Sequence, residues 1–255
     1  MECGASWVLV NASPDLRQQL LGAGLSPASG TRASPINELV LTDAELDHVA
    51  GLLLLREATG LRVHGTEPVL SALAGPLALR RTLEAYTGVE WVPVPPDQPV
   101  TACHGQLEID VIPLGHKRPR YAGDGPADER WVSALALREA GQQWCVLYAP
   151  CVATWTAGLA GLAAGCACII IDGTFWSNDE LAHNGGSSRT ALEMGHLPIG
   201  GPGGSLERLG ALKGVRRVYT HLNNTNPVLD PFSRERACVA REGIEVGTDG
   251  TVIEP

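Results

Sequence analysis

The stretch 43–48 concentrates side chains that can bind a metal ion or move a proton. It carries three carboxylates, Asp43, Glu45 and Asp47, followed directly by His48. The stretch comes after an apolar run typical of a strand, and ligand-binding residues of layered α/β folds gather at the carboxyl ends of strands. Acidic residues are also favoured at a plain helix N-terminus by the helix dipole. The stretch is therefore a candidate site with a structural alternative.

Two further candidates follow strands later in the chain. Asp172 comes directly after the apolar run 169–171, and a buried acid needs hydrogen-bond partners or a metal. His221 lies in the polar stretch 219–227, again at the end of an apolar strand. Taken singly, Asp172 also fits a helix cap or a turn, and a lone histidine at a strand end is more often structural. Their occurrence together with the acidic stretch favours a functional interpretation.

His196 is a candidate proton donor. It lies in the segment 194–198, immediately before the glycine-rich loop 200–204. That loop lacks the Lys-Ser/Thr pair of a phosphate-binding P-loop and the strand-first spacing of a dinucleotide-binding motif. We therefore expect the loop to lead into a helix.

Apolar runs and their periodicity predict the elements that must position these residues. Helices are predicted at 16–21, 49–57, 69–73, 77–86, 157–163, 205–212 and 233–241. Strands are predicted at 7–10, 36–41, 61–64, 107–112, 131–137, 144–148, 168–171 and 217–220. Some strands are adjacent in sequence and others are separated by helices, which indicates α+β or mixed α/β layers around one core.

Composition limits the classes of function. With 255 residues, 44% of them hydrophobic, the chain is expected to form a single domain over 1–255. The net charge of −9 disfavours nucleic acid as a partner. No apolar run reaches the roughly 18 residues of a membrane-spanning helix, and no signal peptide is recognisable. We therefore expect a cytoplasmic protein with no membrane partner.

Part of this pattern resembles the metallo-β-lactamase superfamily, whose motif reads His-x-His-x-Asp-His. Asp47 and His48 match the last pair of that motif, and His221 matches the family's last metal ligand. Asp43 and Glu45 stand in place of its first two histidines.

Longer strings look like the protein B family of pyrroloquinoline quinone (PQQ) biosynthesis, in that family's order and over nearly the whole chain. They are Asn11-Ala12-Ser13-Pro14-Asp15-Leu16-Arg17, Leu41-Thr42-Asp43-Ala44-Glu45-Leu46-Asp47-His48, Leu147-Tyr148-Ala149-Pro150, Asp172-Gly173-Thr174-Phe175-Trp176, Met194-Gly195-His196-Leu197-Pro198 and Thr220-His221-Leu222-Asn223-Asn224-Thr225-Asn226-Pro227.

The resemblance implies a four-layer αββα sandwich of the metallo-β-lactamase type. Members of the PQQ family begin with an extra strand, a glycine-rich turn and a Cys-x-Cys-x-x-Cys segment that binds a structural zinc. This chain starts after that segment, so we expect its first sheet to lack the N-terminal strand. For the same reason, a structural zinc is not expected.

The resemblance also implies a metal-dependent activity. Asp47, His48 and His221 are the implied metal ligands, and two imidazoles with one carboxylate suit Fe(II), with zinc or manganese as alternatives. Asp43, Glu45 and Asp172 are expected to orient the imidazoles or to add ligands. Asp43 and Asp172 are also counted, with His196, among the candidate catalytic residues. Asn223, Asn224, Arg189 and Tyr148 are candidates for binding substrate.

The activity implied for the family is an oxygen-dependent hydroxylation of the tyrosine ring in a Glu-Tyr unit cut from a precursor peptide. Two alternatives stay open. One is a carrier that binds PQQ or its precursor for transport, and the other is a metal-dependent hydrolase, which His116 would support by filling the missing ligand position. Pro150 stands where hydrolases of this fold place a bridging aspartate, which counts against a second metal. The electron donor and the oligomeric state are open, with a homodimer as one option.

Overall fold

The computed structural model describes residues 2–3, 6–25, 34–75, 77–143, 145–183 and 186–254. The chain divides into two compact units, Met1–Ser133 and Ala134–Pro255. The prediction of a single domain is not tested by this division and stays a prediction. Within the described ranges, no helix is both long enough and apolar enough to cross a membrane.

The first unit is built on a mainly parallel sheet. Its strands lie in the order β1-β2-β3-β4-β5, with β1 and β2 antiparallel and each later pair parallel. An antiparallel pair, β6 (Val100–Ala102) and β7 (Leu107–Gly115), follows them in the chain. The five sheet strands are β1 (Glu2–Cys3), β2 (Ser6–Val10), β3 (Ile36–Val40), β4 (Leu61–Gly65) and β5 (Val89–Pro93).

Short helices cover this sheet and complete its core. Aliphatic side chains from β3, β4 and the helices are buried together, among them Leu39, Leu52, Leu61, Leu73 and Leu83. The α-helices are α1 (Leu16–Gly22), α2 (Leu46–Val49), α3 (Glu67–Ala74) and α4 (Leu79–Glu84). Short 3-10 helices lie at Ala50–Leu55, Cys103–Gly105 and Arg120–Ala122.

The second unit has its own run of strands in the order β12-β11-β10-β9-β8, with β8 and β9 antiparallel and the others parallel. The strands are β8 (Val132–Glu139), β9 (Val146–Ala149), β10 (Cys168–Asp172), β11 (Arg216–Thr220) and β12 (Glu245–Val246). The helices are α5 (Ala157–Gly165), α6 (Glu180–His183), α7 (Ser205–Ala211) and α8 (Arg234–Arg241), with 3-10 turns at Leu192–Met194 and Pro227–Leu229.

The strand β10 shows how local sequence determines these elements. Its three consecutive isoleucines are β-branched, which favours a strand, and a parallel strand with neighbours on both sides tolerates an unbroken apolar run. Thr156 caps helix α5, since its hydroxyl accepts from the Leu159 amide at 3.1 Å. Ser233 caps α8 in the same way through the Arg236 amide. Strand and helix boundaries near the candidate residues therefore follow from the residues themselves.

The predicted helix 49–57 is wrong in its start and in its type. The chain forms the short α2 (Leu46–Val49) and then a 3-10 turn, Ala50–Leu55. The cause is a close backbone contact: the Gly51 amide donates to the Ala12 carbonyl at 2.9 Å, and the Ala12 amide donates to the His48 carbonyl at 2.6 Å. Strand β5 was not predicted, because Glu90 and Pro93 interrupt its apolar pattern. Proline is tolerated there because β5 lies at the end of the first unit's strand order.

The contact at Gly51 leads to a stability prediction. A Cβ at this position would lie 2.1 Å from the Ser13 carbonyl oxygen, so Gly51→Ala forces backbone to move. We expect a loss of about 1–3 kcal/mol in the free energy of unfolding, measured by urea denaturation. Gly22→Ala is the matched control, since a Cβ there meets nothing within 4 Å, and it should change stability by less than about 1 kcal/mol. Equal stability of the two variants would contradict the contact.

Candidate functional site

In the first unit, the carboxylate of Asp43 is buried and fully engaged. Its Oδ2 accepts from the Thr42 hydroxyl at 2.8 Å and from His48 Nδ1 at 2.7 Å, while its Oδ1 accepts from the Glu45 amide at 2.9 Å. Burial alone would raise the pKa of Asp43, but the charge and hydrogen bond of His48, with the other donors, hold this pKa below its usual value. Burial alone would lower the pKa of His48, but the charge and hydrogen bond of Asp43 hold this pKa above its usual value.

The acidic turn is held in place by Asn11, a residue that the sequence did not single out as part of the site. Asn11 Nδ2 donates to the Thr42 hydroxyl at 2.8 Å, and the Thr42 amide donates to Asn11 Oδ1 at 2.9 Å. Asn11 adopts a left-handed backbone with φ of 56°, a conformation that asparagine accepts more readily than most residues. In the sequence, this residue was marked as the first of the string 11–17, which directly follows β2.

The hydrogen bond to Asp43 determines which nitrogen of His48 can bind a metal. A carboxylate only accepts hydrogen bonds, so Nδ1 of His48 must carry the hydrogen. In the neutral ring the lone pair then lies on Nε2. A carboxylate behind an imidazole is the arrangement that proteins use to orient metal-binding histidines.

The other two carboxylates of the turn are more accessible. Asp47 lies in the first turn of α2 and is exposed. Glu45 is half-buried, and its Oε1 is 3.3 Å from the ammonium of Lys117. Close by, the Tyr121 hydroxyl donates to the Ala44 carbonyl at 2.5 Å, and burial raises the pKa of that phenol. Asp43 is therefore the carboxylate that supports His48 from within the unit.

In the second unit, Asp172 ends strand β10 with its carboxylate buried. Oδ1 accepts from the amide and the hydroxyl of Thr174, at 3.0 and 2.6 Å. Oδ2 accepts from the Val152 amide and from His196 Nδ1, both at 2.8 Å. Burial would raise the pKa of Asp172, but the nearby His196, His221 and Thr174 hold it below its usual value.

His196 and His221 lie side by side next to this carboxylate. Their rings stack with centroids 5.4 Å apart, and Phe175 packs edge-on against His196. The Nδ1 atom of His221 is 2.7 Å from the Thr174 hydroxyl. Asp172, His196 and His221 each offer one ligand atom, and these atoms lie within 4.8 Å of one another. The structure thus brings these three predicted site residues together.

Counting donors and acceptors also shows which ring nitrogen carries the hydrogen in His196 and His221. The Thr174 hydroxyl has one hydrogen, which it gives to Asp172, so it must accept from Nδ1 of His221. Nδ1 of His196 donates to Asp172 directly. In their neutral forms both rings therefore carry the lone pair on Nε2, as His48 does. Thr174 supports the candidate site through these contacts, and the sequence did not single it out, because its partner His221 lies 47 residues along the chain.

The remaining predicted residues have more peripheral places. Asn223 donates to the Thr225 hydroxyl at 2.7 Å, and Asn224 is exposed. Arg189 is exposed and donates to the Glu193 carbonyl at 2.9 Å, whereas Tyr148 is half-buried in β9. Asn226 was not predicted, yet it is buried and its amide supports the carbonyls of Gly173 and Thr174, at 2.7 and 3.2 Å.

These donor sets fit a divalent transition metal. The imidazoles are oriented through Nδ1, and carboxylates stand behind them, which suits iron, manganese or zinc. The predicted ligand set of Asp47, His48 and His221 takes residues from both units, and it stays a prediction.

The chain is similar to known proteins over nearly its whole length. Residues 6–222 match the model of the beta-lactamase superfamily domain. Coenzyme PQQ synthesis protein B of Pseudomonas fluorescens (strain Pf0-1) is 38% identical over 257 residues, which cover 98% of this chain and 84% of that protein. The protein of the same name from Methylococcus capsulatus gives the same figures.

Solved structures agree with this relationship. Zn(2+)-bound PqqB from Methylobacterium extorquens superposes with a TM-score of 0.87 at 30% identity, over 100% of this chain and 86% of that one. A diphosphatase of the PhnP family, 15% identical with a TM-score of 0.63 over 98% of this chain and 80% of its own, shares the fold. The predicted metallo-β-lactamase fold, mixed α/β with two sheets, is confirmed. The chain belongs to the coenzyme PQQ synthesis protein B family, within the β-lactamase superfamily.

Proposed function

We propose that this protein acts in PQQ biosynthesis as a metal-dependent hydroxylase of the tyrosine ring in a Glu-Tyr unit from a precursor peptide. A role in PQQ biosynthesis is supported by two relatives, each named coenzyme PQQ synthesis protein B. The observation that supports an enzymatic role is the way in which His48, His196 and His221 are all oriented through Nδ1. Each Nδ1 is bonded to a buried carboxylate, or to a hydroxyl that is itself bonded to one. A protein that only carries PQQ has no need of imidazoles oriented in this way.

The metal would be held by Asp47, His48 and His221, as the sequence suggests. This set favours Fe(II), which would supply the activation of dioxygen when bound. Zinc and manganese are the alternatives, and the PqqB of Methylobacterium extorquens was described with Zn(2+). Asp43 and Asp172 act in this proposal through the imidazoles that they orient.

His196 is the proposed proton donor. Its Nδ1 hydrogen is given to Asp172 at 2.8 Å, so a second proton would be held at Nε2. Asn223, Asn224, Arg189 and Tyr148 are the proposed substrate-binding residues, with Asn224 and Arg189 accessible from solvent.

The reaction itself can be tested directly. Hydroxylation places one oxygen atom of O2 on the ring and releases the other as water, which takes two electrons and two protons, so a reductant must be supplied. Protein reconstituted anaerobically with Fe(II) should convert a Glu-Tyr dipeptide, in the presence of ascorbate and 18-O2, to a product one labelled oxygen atom heavier by mass spectrometry. Zinc-loaded protein is the control and should give no product. Tight binding of PQQ without turnover by the iron-loaded protein would instead favour the carrier.

The hydrogen bond between Thr174 and His221 generates a second prediction. Thr174→Val keeps the shape of the side chain but removes the acceptor for His221 Nδ1. We expect metal affinity to fall about 10- to 100-fold, since removing a partner that orients a metal-binding histidine has effects of this size. The measurement is a competition titration against a chromophoric chelator.

Thr174→Ser is the matched control, because it keeps the hydroxyl and should retain nearly all of the affinity. Circular dichroism of both variants checks that the unit is folded. Unchanged affinity in folded Thr174→Val would rule out His221 as a ligand oriented by this contact.

A further inference from the structure

A pair of cysteines in the second unit lies outside the site described above. Cys145 immediately precedes β9 and Cys166 follows α5, just before β10, so the two residues are 21 positions apart in the chain. The Ala167 amide donates to the Cys145 carbonyl at 3.0 Å, which fixes the two backbone segments next to each other. Both cysteines are thiols in the structure.

The two sulfur atoms are 2.7 Å apart. Non-bonded sulfur atoms keep a greater distance than this, while a disulfide bond is about 2.05 Å long. Oxidation therefore requires the sulfurs to move by less than an ångström, on a backbone that the neighbouring strands already hold. We propose that Cys145 and Cys166 are a redox-modification site that forms a reversible disulfide with peroxides or low-molecular-weight disulfides as oxidants.

The two thiols differ in a way that gives the oxidation an order. Cys145 is partly exposed, whereas Cys166 is buried and donates to the Leu162 carbonyl at 3.1 Å. Burial raises the pKa of the Cys166 thiol to about 12, and the neighbouring Cys145 adds to this effect. Reactivity follows thiolate character and access, so Cys145 is the sulfur that meets the oxidant first.

With hydrogen peroxide the electrons and atoms balance in two steps. The Cys145 sulfur attacks one peroxide oxygen, the O–O bond breaks, and the departing hydroxide takes a proton to become water, leaving a sulfenic acid. The Cys166 sulfur then attacks the Cys145 sulfur, the S–O bond breaks, and a second water leaves as the Cys166 proton is taken up. A dithiol reductant reverses the change by exchange through a mixed disulfide.

The disulfide would join β9 and β10 at the ends where these strands begin. Both strands run parallel from there, and β10 ends at Asp172, whose carboxylate accepts from the Val152 amide in the segment after β9. Oxidation therefore ties together the two segments that place this carboxylate, at the opposite end of the strands. A cross-link closing a loop of this length stabilises a protein by restricting its unfolded chain.

The test compares the full-length protein before and after mild oxidation with hydrogen peroxide. After blocking free thiols under denaturing conditions, a chymotryptic digest should contain a cross-linked pair of peptides holding Cys145 and Cys166, which dithiothreitol separates. Chymotrypsin is needed because Tyr148 separates Cys145 from Cys151 and Trp155 separates Cys151 from Cys166, whereas no lysine or arginine lies between Cys145 and Cys166. The oxidised protein should melt about 5 to 10 °C higher than the reduced one.

Cys145→Ser and Cys166→Ala should each abolish both the cross-link and the shift in melting temperature. Cys168→Ser and Cys238→Ser are the controls, and both changes should persist in these variants. Because Cys166 is buried and its variant can lose stability by itself, the half-buried Cys145 carries the decisive comparison. The proposal would be overturned if Cys145 and Cys166 both reacted with the thiol-blocking reagent after peroxide treatment. A thermal shift that persists in Cys145→Ser would overturn it as well.

Discussion

The structure of the candidate site depends on two buried carboxylates that must be paired to remain charged. Taking an ionised carboxylate out of water costs several kcal/mol unless donors replace the lost hydration. Asp172 meets this requirement with four hydrogen bonds, and Asp43 meets it with three. One of the donors to each carboxylate is a histidine. The same contacts therefore stabilise a buried charge and orient an imidazole.

The two units reach this result by similar means. In each, an aspartate lies at the end of a parallel strand or three positions after it. A threonine hydroxyl donates to that aspartate, and a histidine from a later segment donates to it through Nδ1. The threonine precedes the aspartate in the first unit and follows it in the second, so the likeness is one of chemistry rather than of sequence. Carboxylate, hydroxyl and imidazole form a small network whose members polarise one another, which strengthens each bond.

Local sequence was sufficient to predict the parts of this arrangement that depend on neighbouring residues. The isoleucine run placed β10 and, with it, the position of Asp172 at a strand end. The acidic stretch was found from its composition, and the place of His221 from the polar string after β11. The resemblance to a known family added the fold, which composition and periodicity limit only to mixed α/β.

The parts that were missed depend on contacts between distant segments. Asn11 reaches Thr42 across 31 residues, and Thr174 reaches His221 across 47, and no local pattern marks such partners. The short α2 was mispredicted for a related reason, since Gly51 is drawn into contact with the backbone of Ala12. Side chains that support a candidate site residue are selected by tertiary contacts, so they can be identified only in the folded chain.

The spread of the Asp172 donors along the chain ties the chemistry of this protein to its folding. Val152, His196 and, through Thr174, His221 meet at this carboxylate only when the segment between them has adopted its native path. An unfolded chain presents no such preformed set, so a bound metal ion stabilises the native state, by about 2.7 kcal/mol at a free concentration 100 times its dissociation constant. Under the proposed function, the lifetime of this protein in a cell is linked to the supply of its metal, and scarcity of the metal lowers the amount of protein as well as its activity.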